Sequence, residues 1–272
     1  MIYLDNNATT KVHPKVFEAM EPFLKDEFGN PSTGYDLGKN SNEAVTQARN
    51  QVAQLINSKA EEIIFTSCGT ESDNTAIFSA LKNNSDKRHI VTTSVEHSAI
   101  ILFAQSMMPD IEITELPVNN DGLIELNDLR DAIREDTALV TIMWANNETG
   151  ICQDIYEAAK ITHAKNSLFH TDAVNAVGKI SIDVSKGPID FLSISGHKFH
   201  APKGVGALFV RAGAPFSPFF IGGGQENGKR AGTEAVAQVI GLGTAAELAK
   251  NRLLSGGEEK LAILRDRLEN NI

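Results

Sequence analysis

Cysteine is scarce: Cys68 and Cys152 are the only two in 272 residues, far apart and in no metal-ligand spacing. They can build neither a disulfide framework nor a thiolate metal site, and two reduced thiols suit a cytosolic chain. No apolar run is long enough to cross a bilayer. The N-terminal MIYLDNNATT has no basic stretch followed by an apolar one, so no secretory leader is read and a cytoplasmic protein is expected. Positive charge is also in deficit, with 25 Lys and Arg against 35 Asp and Glu and a net charge of −10. Neither nucleic acid nor an anionic membrane is expected as a partner, although a local basic cluster can still bind a small anion.

What is present is ordinary globular material, 42% apolar and 22% charged, in a chain long enough for a large buried core. Val16, Ala19, Met20, Phe23 and Leu24 recur at helical spacing, and so do Ala44, Val45, Ala48, Val52, Leu55 and Ile56. FGNPSTGYDLG between them reads as a loop. From there strands and helices alternate. EIIFTS, HIVTTS, IEITELPV, ALVTIMWA, SLFHTDAV, IDFLSIS and GALFVR are predicted strands. Helices are predicted from GTESDNTAIFSAL and over 98–108, 125–135 and 154–165. Alternation of this kind implies an α/β fold with a mostly parallel sheet covered by helices on both faces. Near the end, Leu261, Leu264 and Leu268 share one face of a predicted helix and need something to pack against.

Ligands of open α/β sheets bind at the carboxyl ends of the strands. Five predicted strand ends deliver polar groups there: CGTESDN with Gly69 and Thr70, VEH with His97, NNETG with Asn147, Asp172, and SGHK with Lys198. Each has an ordinary reading. Thr70 and Asp73 form a capping-box pattern, Asp172 suits a turn or cap, Lys198 a solvated surface, His97 a cap or core position, and Asn147 a turn. Together they also match the needs of pyridoxal 5′-phosphate (PLP). Gly69 lets a phosphate approach a helix N-terminus, with Ser195, His197 and Thr233 as further donors. Asp172 can face a cationic ring nitrogen, and Lys198 can supply the imine-forming amine. His97 can stack on the ring and move protons. Asn147, or more weakly Asn175, can reach the phenolic oxygen.

The motifs YLDNNATT, GNPS, FTSCGTESDN, VEHSAI, MWANNETG, HTDAVNAVGKI, SISGHKFHAPKGVGAL and GGGQENGKRAGTE run in order along the whole chain. Together they resemble the cysteine desulfurases, PLP enzymes of fold type I, class V, and in particular the NifS-like and iron–sulfur housekeeping branches. The resemblance implies that Lys198 binds the cofactor covalently, Asp172 keeps its ring nitrogen protonated, and His97 stacks and acts in acid–base steps. Gly69, Thr70, Ser195 and His197 would hold the phosphate, Asn147 would sit near the phenolic oxygen and substrate, and Thr233 would reach the phosphate of a second subunit in a homodimer. The implied reaction takes L-cysteine to L-alanine and passes sulfur as a persulfide toward an acceptor such as an iron–sulfur scaffold protein. Selenocysteine lyases and small-amino-acid aminotransferases of the same class are alternatives, as is a non-catalytic PLP-binding fragment.

Two positions depart from the resemblance: Asn175 stands where the relatives carry glutamine, and Tyr35 where they carry histidine. The implied persulfide-forming cysteine and carboxylate-binding arginine would lie beyond residue 272, so a C-terminally truncated member is expected. Neither Cys68 nor Cys152 matches that loop. The expected division is a segment over 1–12 that packs with a small domain, a PLP-binding large domain over 13–254, and the start of the small domain over 255–272.

Overall fold

The computed structural model describes residues 2–272. Seven strands form one sheet: β1 (Ile63–Thr66), β2 (His89–Thr93), β3 (Glu112–Leu116), β4 (Thr137–Thr141), β5 (Leu168–Asp172), β6 (Phe191–Ser195) and β7 (Gly206–Val210). Their spatial order is β1-β7-β6-β5-β4-β2-β3, and only β7 runs antiparallel to its neighbours. All seven predicted strands are present.

The alternation of side chains shows why the strands read as apolar runs. Phe65, Val91, Val140, Leu192, Ile194 and Phe209 face one core, and Ile64, Ile90, Leu139, Phe191, Leu208 and Val210 face the other. Both faces are therefore dry. Helices α3 (Gly69–Asn83) and α4 (Ser98–Gln105) cover the second face through Ala76, Ile77, Ala80, Ile100 and Ala104. The first face receives α1 (Pro14–Lys25), α2 (Asp36–Leu55), α5 (Leu126–Ala132), α6 (Ile155–His163) and α7 (Val236–Leu254). No helix among the described residues is long and apolar enough to cross a membrane.

Two sequence expectations are corrected. Helix α2 begins at Asp36, inside the predicted loop and eight residues before Ala44. Its first turns carry Lys39, Asn40 and Asn42, polar residues with no apolar period to betray them. The capping box at Thr70 and Asp73 does not form: Cys68 is the N-cap of α3, no side chain caps the helix, and Asp73 is buried at 1% exposure. Glu71 instead accepts from the Ser67 N–H at 2.8 Å and pairs with Arg230 at 2.8 Å. The leucine stripe of α8 (Gly257–Glu269) is without cover among the described residues, as the sequence leads one to expect: Leu261, Leu264 and Leu268 are exposed beside a groove shared with Leu4–Asn7.

Two connections matter for the site. Residues 9–13 are tied to the turn after β6: the Thr10 N–H and hydroxyl donate to the His197 carbonyl at 2.9 and 2.8 Å, and the His13 N–H to that of His200 at 3.1 Å. The GGGQENGKR loop is held by Glu226, which takes both Arg49 nitrogens at 2.6 and 2.7 Å and the Phe65 N–H at 2.9 Å. That bidentate pair is almost wholly out of water, and the extra N–H bond helps offset its desolvation.

Helix α7 lies against α2 and α1 at close range. A Cβ on Gly243 would stand 2.5 Å from the Ala48 Cα, a backbone atom that cannot swing aside. Alanine would gain roughly 1 kcal/mol in helix propensity, but overpacking costs about 1–3 kcal/mol and a backbone contact takes the upper part of that range. Gly243→Ala is expected to lower the urea midpoint of unfolding; an unchanged or raised midpoint would show that the two helices are not in contact there.

Candidate active site

Asp172 is the last residue of β5, and Lys198 closes the single helical turn that follows β6. Because β5 and β6 are parallel neighbours, both strand ends open on one edge. There a cavity of about 240 Å³ is lined by Gly69, Thr70, His97, Asp172, Asn175, Ser195, His197 and Lys198, joined by Ala8, Cys68, Asp73 and Val174. Eight of the ten site residues predicted from the sequence therefore meet in one place. Asn147 does not line this cavity; it lies in the adjoining one, which shares His97, and its side chain donates to Glu148 at 2.6 Å. Thr233 lines a separate cavity beside Arg230 and Glu226, so within one chain it is not brought to the site.

The phosphate end is built from backbone. The first turn of an α-helix leaves its N–H groups without internal partners, and the N-terminus carries partial positive charge. With no side-chain cap, the first turn of α3 at Gly69 and Thr70 is free to receive an anion. A Cβ at Gly69 would stand 2.7 Å from Val174 Cγ2, so only glycine fits that close approach. Ser195 is buried at its rim. His197 Nδ1 sits 3.1 Å from Thr9 Oγ1, and burial with Lys198 and Lys203 nearby pushes its pKa down, so its ring is a neutral hydrogen-bonding group.

The same cavity also holds the charges. Asp172 is buried and accepts the Val174 N–H at 2.8 Å. Burial raises its pKa, while that hydrogen bond and the nearby His97 and Lys198 work the other way. Burial lowers the pKa of Lys198, against the attraction of Asp172, Asp5 and Glu148. A partly depressed amine is the form that nucleophilic lysine chemistry requires. Its Nζ is held by the carbonyl oxygen of Asn7, and Lys179 Nζ reaches the Asn7 side-chain oxygen at 3.1 Å and that of Asn175 at 3.4 Å. Asn175 thus spends its oxygen on Lys179. His97 is both cap and site residue: its Nδ1 accepts the Ala99 N–H at 3.1 Å, which leaves the proton of the neutral ring on Nε2.

Sequence reasoning missed several of these groups. Asp73 was read only as a capping partner, although its spacing to Ala76, Ile77 and Ala80 puts it on the buried face of α3. Glu96 was passed over inside VEH. Its Oε1 accepts from Thr93 Oγ1 and the Met143 N–H, both at 2.8 Å, while Oε2 is buried without a partner. Cys68 lines the cavity, and Cys152 is exposed on its loop with a pKa raised by desolvation, which makes a poor thiolate.

A free helix terminus, a buried carboxylate and an amine lining one cavity are the parts that a phosphate-bearing cofactor with a basic ring nitrogen requires. The family model "Aminotransferase class-V" matches residues 2–272, and the chain belongs to that family. Its relatives there are cysteine desulfurases. It is 50% identical to the "Cysteine desulfurase" of Trichormus azollae and 45% to "Cysteine desulfurase NifS" of Azotobacter vinelandii, in each case over all of this chain and 68% of the relative. Among solved structures it resembles a "NifS-like protein" with a TM-score of 0.95 at 38% identity, over 99% of this chain and 74% of that one. It also resembles "SspA in complex with cysteine", with a TM-score of 0.86 at 38% identity, over 91% of this chain and 72% of that one. The architecture is that of the PLP-dependent fold type I enzymes. The residues present fit PLP: Gly69, where a Cβ would crowd Val174, the uncapped α3 terminus, Asp172 and Lys198 line one cavity and offer an anion site, a carboxylate and an amine.

Burial pushes the Glu96 pKa up to about 8, from an ordinary 4.5. The native state then keeps a proton that the unfolded chain releases, so stability falls as pH rises through that interval. Glu96→Gln keeps the Oε1 bonds and removes the titration. Wild type and variant are expected to unfold at similar urea concentrations near pH 5, with the variant progressively the more stable toward pH 8; parallel pH curves would show that Glu96 is ionised in the native state.

Proposed function

We propose that this chain is a PLP-dependent cysteine desulfurase that removes sulfur from L-cysteine and leaves L-alanine. The observation that carries the reading is the cavity that Lys198 and Asp172 share with the uncapped N-terminus of α3. The relatives' names supply the substrate class. When bound, PLP supplies an electron sink that weakens bonds at the substrate's α and β carbons.

The residues of the chain supply position and protons. The α3 N-terminus and Ser195, with the neutral His197, hold the phosphate. Asp172 is placed to keep a ring nitrogen protonated, because a buried carboxylate is stabilised by a cation beside it. Lys198 carries the cofactor and, with its depressed pKa, is suited to take and return a proton at the substrate's α carbon. His97 presents Nε2–H over the same cavity. Asn175, its oxygen held by Lys179, would have its amide nitrogen left to donate to the ring's phenolic oxygen. Asn147 lines the adjoining cavity, which shares His97, and would act near the substrate from there.

The balance is simple: cysteine and an acceptor thiol give alanine and a persulfide, the sulfur passing to the thiol and the thiol's hydrogen to the amino acid. The acceptor downstream is a protein that builds iron–sulfur clusters. In a homodimer Thr233 of each chain would serve the other's phosphate, which accounts for its place away from the site of its own chain. Residues 13–254 form the cofactor-binding domain in this reading, with 255–272 opening a smaller domain that residues 1–12 help to cover.

Borohydride treatment of the PLP-loaded protein is expected to fix the cofactor to the peptide carrying residue 198, and Lys198→Ala to abolish that labelling. With L-cysteine and dithiothreitol as the acceptor thiol, alanine formation should fall by about 10²-fold or more in the variant. Equal alanine formation by both proteins would sink the assignment. Faster turnover of selenocysteine, or alanine consumed together with an oxo acid, would move the chain to a neighbouring activity of the same class.

A further inference from the structure

Asp73 is the most deeply placed acid in the molecule, 1% exposed, and it lines the same cavity as Asp172. Helix α3 carries it there because Gly69, Asp73, Ala76, Ile77 and Ala80 share the helix's buried face. Its Oδ1 has no hydrogen-bond partner. The groups that face it come from four directions. From β5 come Asp172 and His170, whose Nε2 lies 3.6 Å from Oδ1. From β6 comes the Ser193 hydroxyl, from the turn before α4 Glu96, and from its own N-cap Cys68. No lysine or arginine pairs with it among the described residues, and His170 is neutral, its pKa driven to about 3 by burial.

Two carboxyl groups in one dry cavity do not both ionise, because each charge raises the cost of the other. The surroundings decide which keeps the charge. Asp172 has a backbone N–H at 2.8 Å and the Lys198 cation in attraction. Asp73 has a hydroxyl, a neutral imidazole and two further acids. We propose that Asp73 is a positioning residue that carries the proton of the Asp73–Asp172 pair, so that the one negative charge of the cavity stays on Asp172. It touches no reacting atom; it acts by remaining neutral. The role rests on the reading of Asp172 as the partner of the cofactor's ring nitrogen.

The test compares urea unfolding of the full chain without PLP from pH 5 to 8, for wild type, Asp73→Asn and Asp172→Asn, with PLP dissociation constants measured at neutral pH. A proton held by native Asp73 and lost on unfolding makes the unfolding constant rise about tenfold per pH unit. Asp73→Asn, which copies the protonated shape, is expected to show a slope shallower by that one proton and a PLP dissociation constant within about threefold of wild type. In Asp172→Asn the like charge is gone, and Asp73 is expected to release its proton at lower pH. A wild-type slope in Asp73→Asn, or PLP binding weakened about tenfold or more, would overturn the proposal. Should Asp73→Asn fail to fold, carboxyl ¹³C shifts assigned to Asp73 and Asp172 in aspartate-labelled wild type decide: Asp73 still protonated above pH 6 supports it, and Asp73 titrating below pH 5, or Asp172 holding the proton in its place, overturns it. Unchanged PLP affinity in Asp172→Asn would remove the ring-nitrogen role of Asp172 and leave the slope comparison standing.

Discussion

Desolvation of acids is the constraint on which the site depends. The carboxyl edge of the sheet buries Asp73, Glu96 and Asp172 within one region, although a carboxylate taken out of water without partners is among the costliest burials a fold can make. Only Asp172 is given the means to stay ionised. The others keep protons, and their neutrality preserves a single, well-placed negative charge. A basic ring nitrogen is the natural complement of that charge, and the depressed amine of Lys198 follows from the same dryness.

The scaffold reaches this arrangement with ordinary parts. Parallel strands β5 and β6 bring residues 172 and 198 to one edge, and the uncapped α3 supplies the opposite pole without spending a side chain. The charges that hold the periphery are paired. Arg49 binds Glu226, Arg230 binds Glu71, and both pairs fasten the GGGQENGKR loop to the start of the sheet. This division, with paired charges outside and one carboxylate left to a ligand inside, separates structural ion pairs from the chemical one.

Much of this was legible in the chain. The seven strands were readable because a sheet buried on both faces demands apolar runs, and the site was readable because strand ends in such sheets are where ligands bind. That rule singles out Lys198, Asp172 and Gly69 as strand-end groups, while their roles rest on their convergence and on the resemblance. Other features were hidden for physical reasons. Helix α7 was not anticipated: VAQVIGLGTAAELAK is apolar on most sides, and Gly241 and Gly243 disguise it, yet those glycines are what let α1 and α2 approach. The early start of α2 was masked by its polar first turns. Asp73 looked like a cap because three-residue spacing to Thr70 is the capping signature; its burial is a tertiary fact, visible only in the wider helical period. Thr233 and Asn147 lie on loops whose paths no periodicity records.

The hold of Asn7 on Lys198 couples the amino-terminal strand of chain to the chemical state of an amine 191 positions away. Asn7 offers its main-chain oxygen to one lysine and its side-chain oxygen to another, Lys179, whose own charge is discouraged by burial and then by the first. Converting the Lys198 amine to a group with fewer hydrogens to give would slacken one of these tethers and ease the repulsion felt by the other. Residues 5–8 would then register, as a change in local order, whether the amine at the sheet's edge is free or engaged.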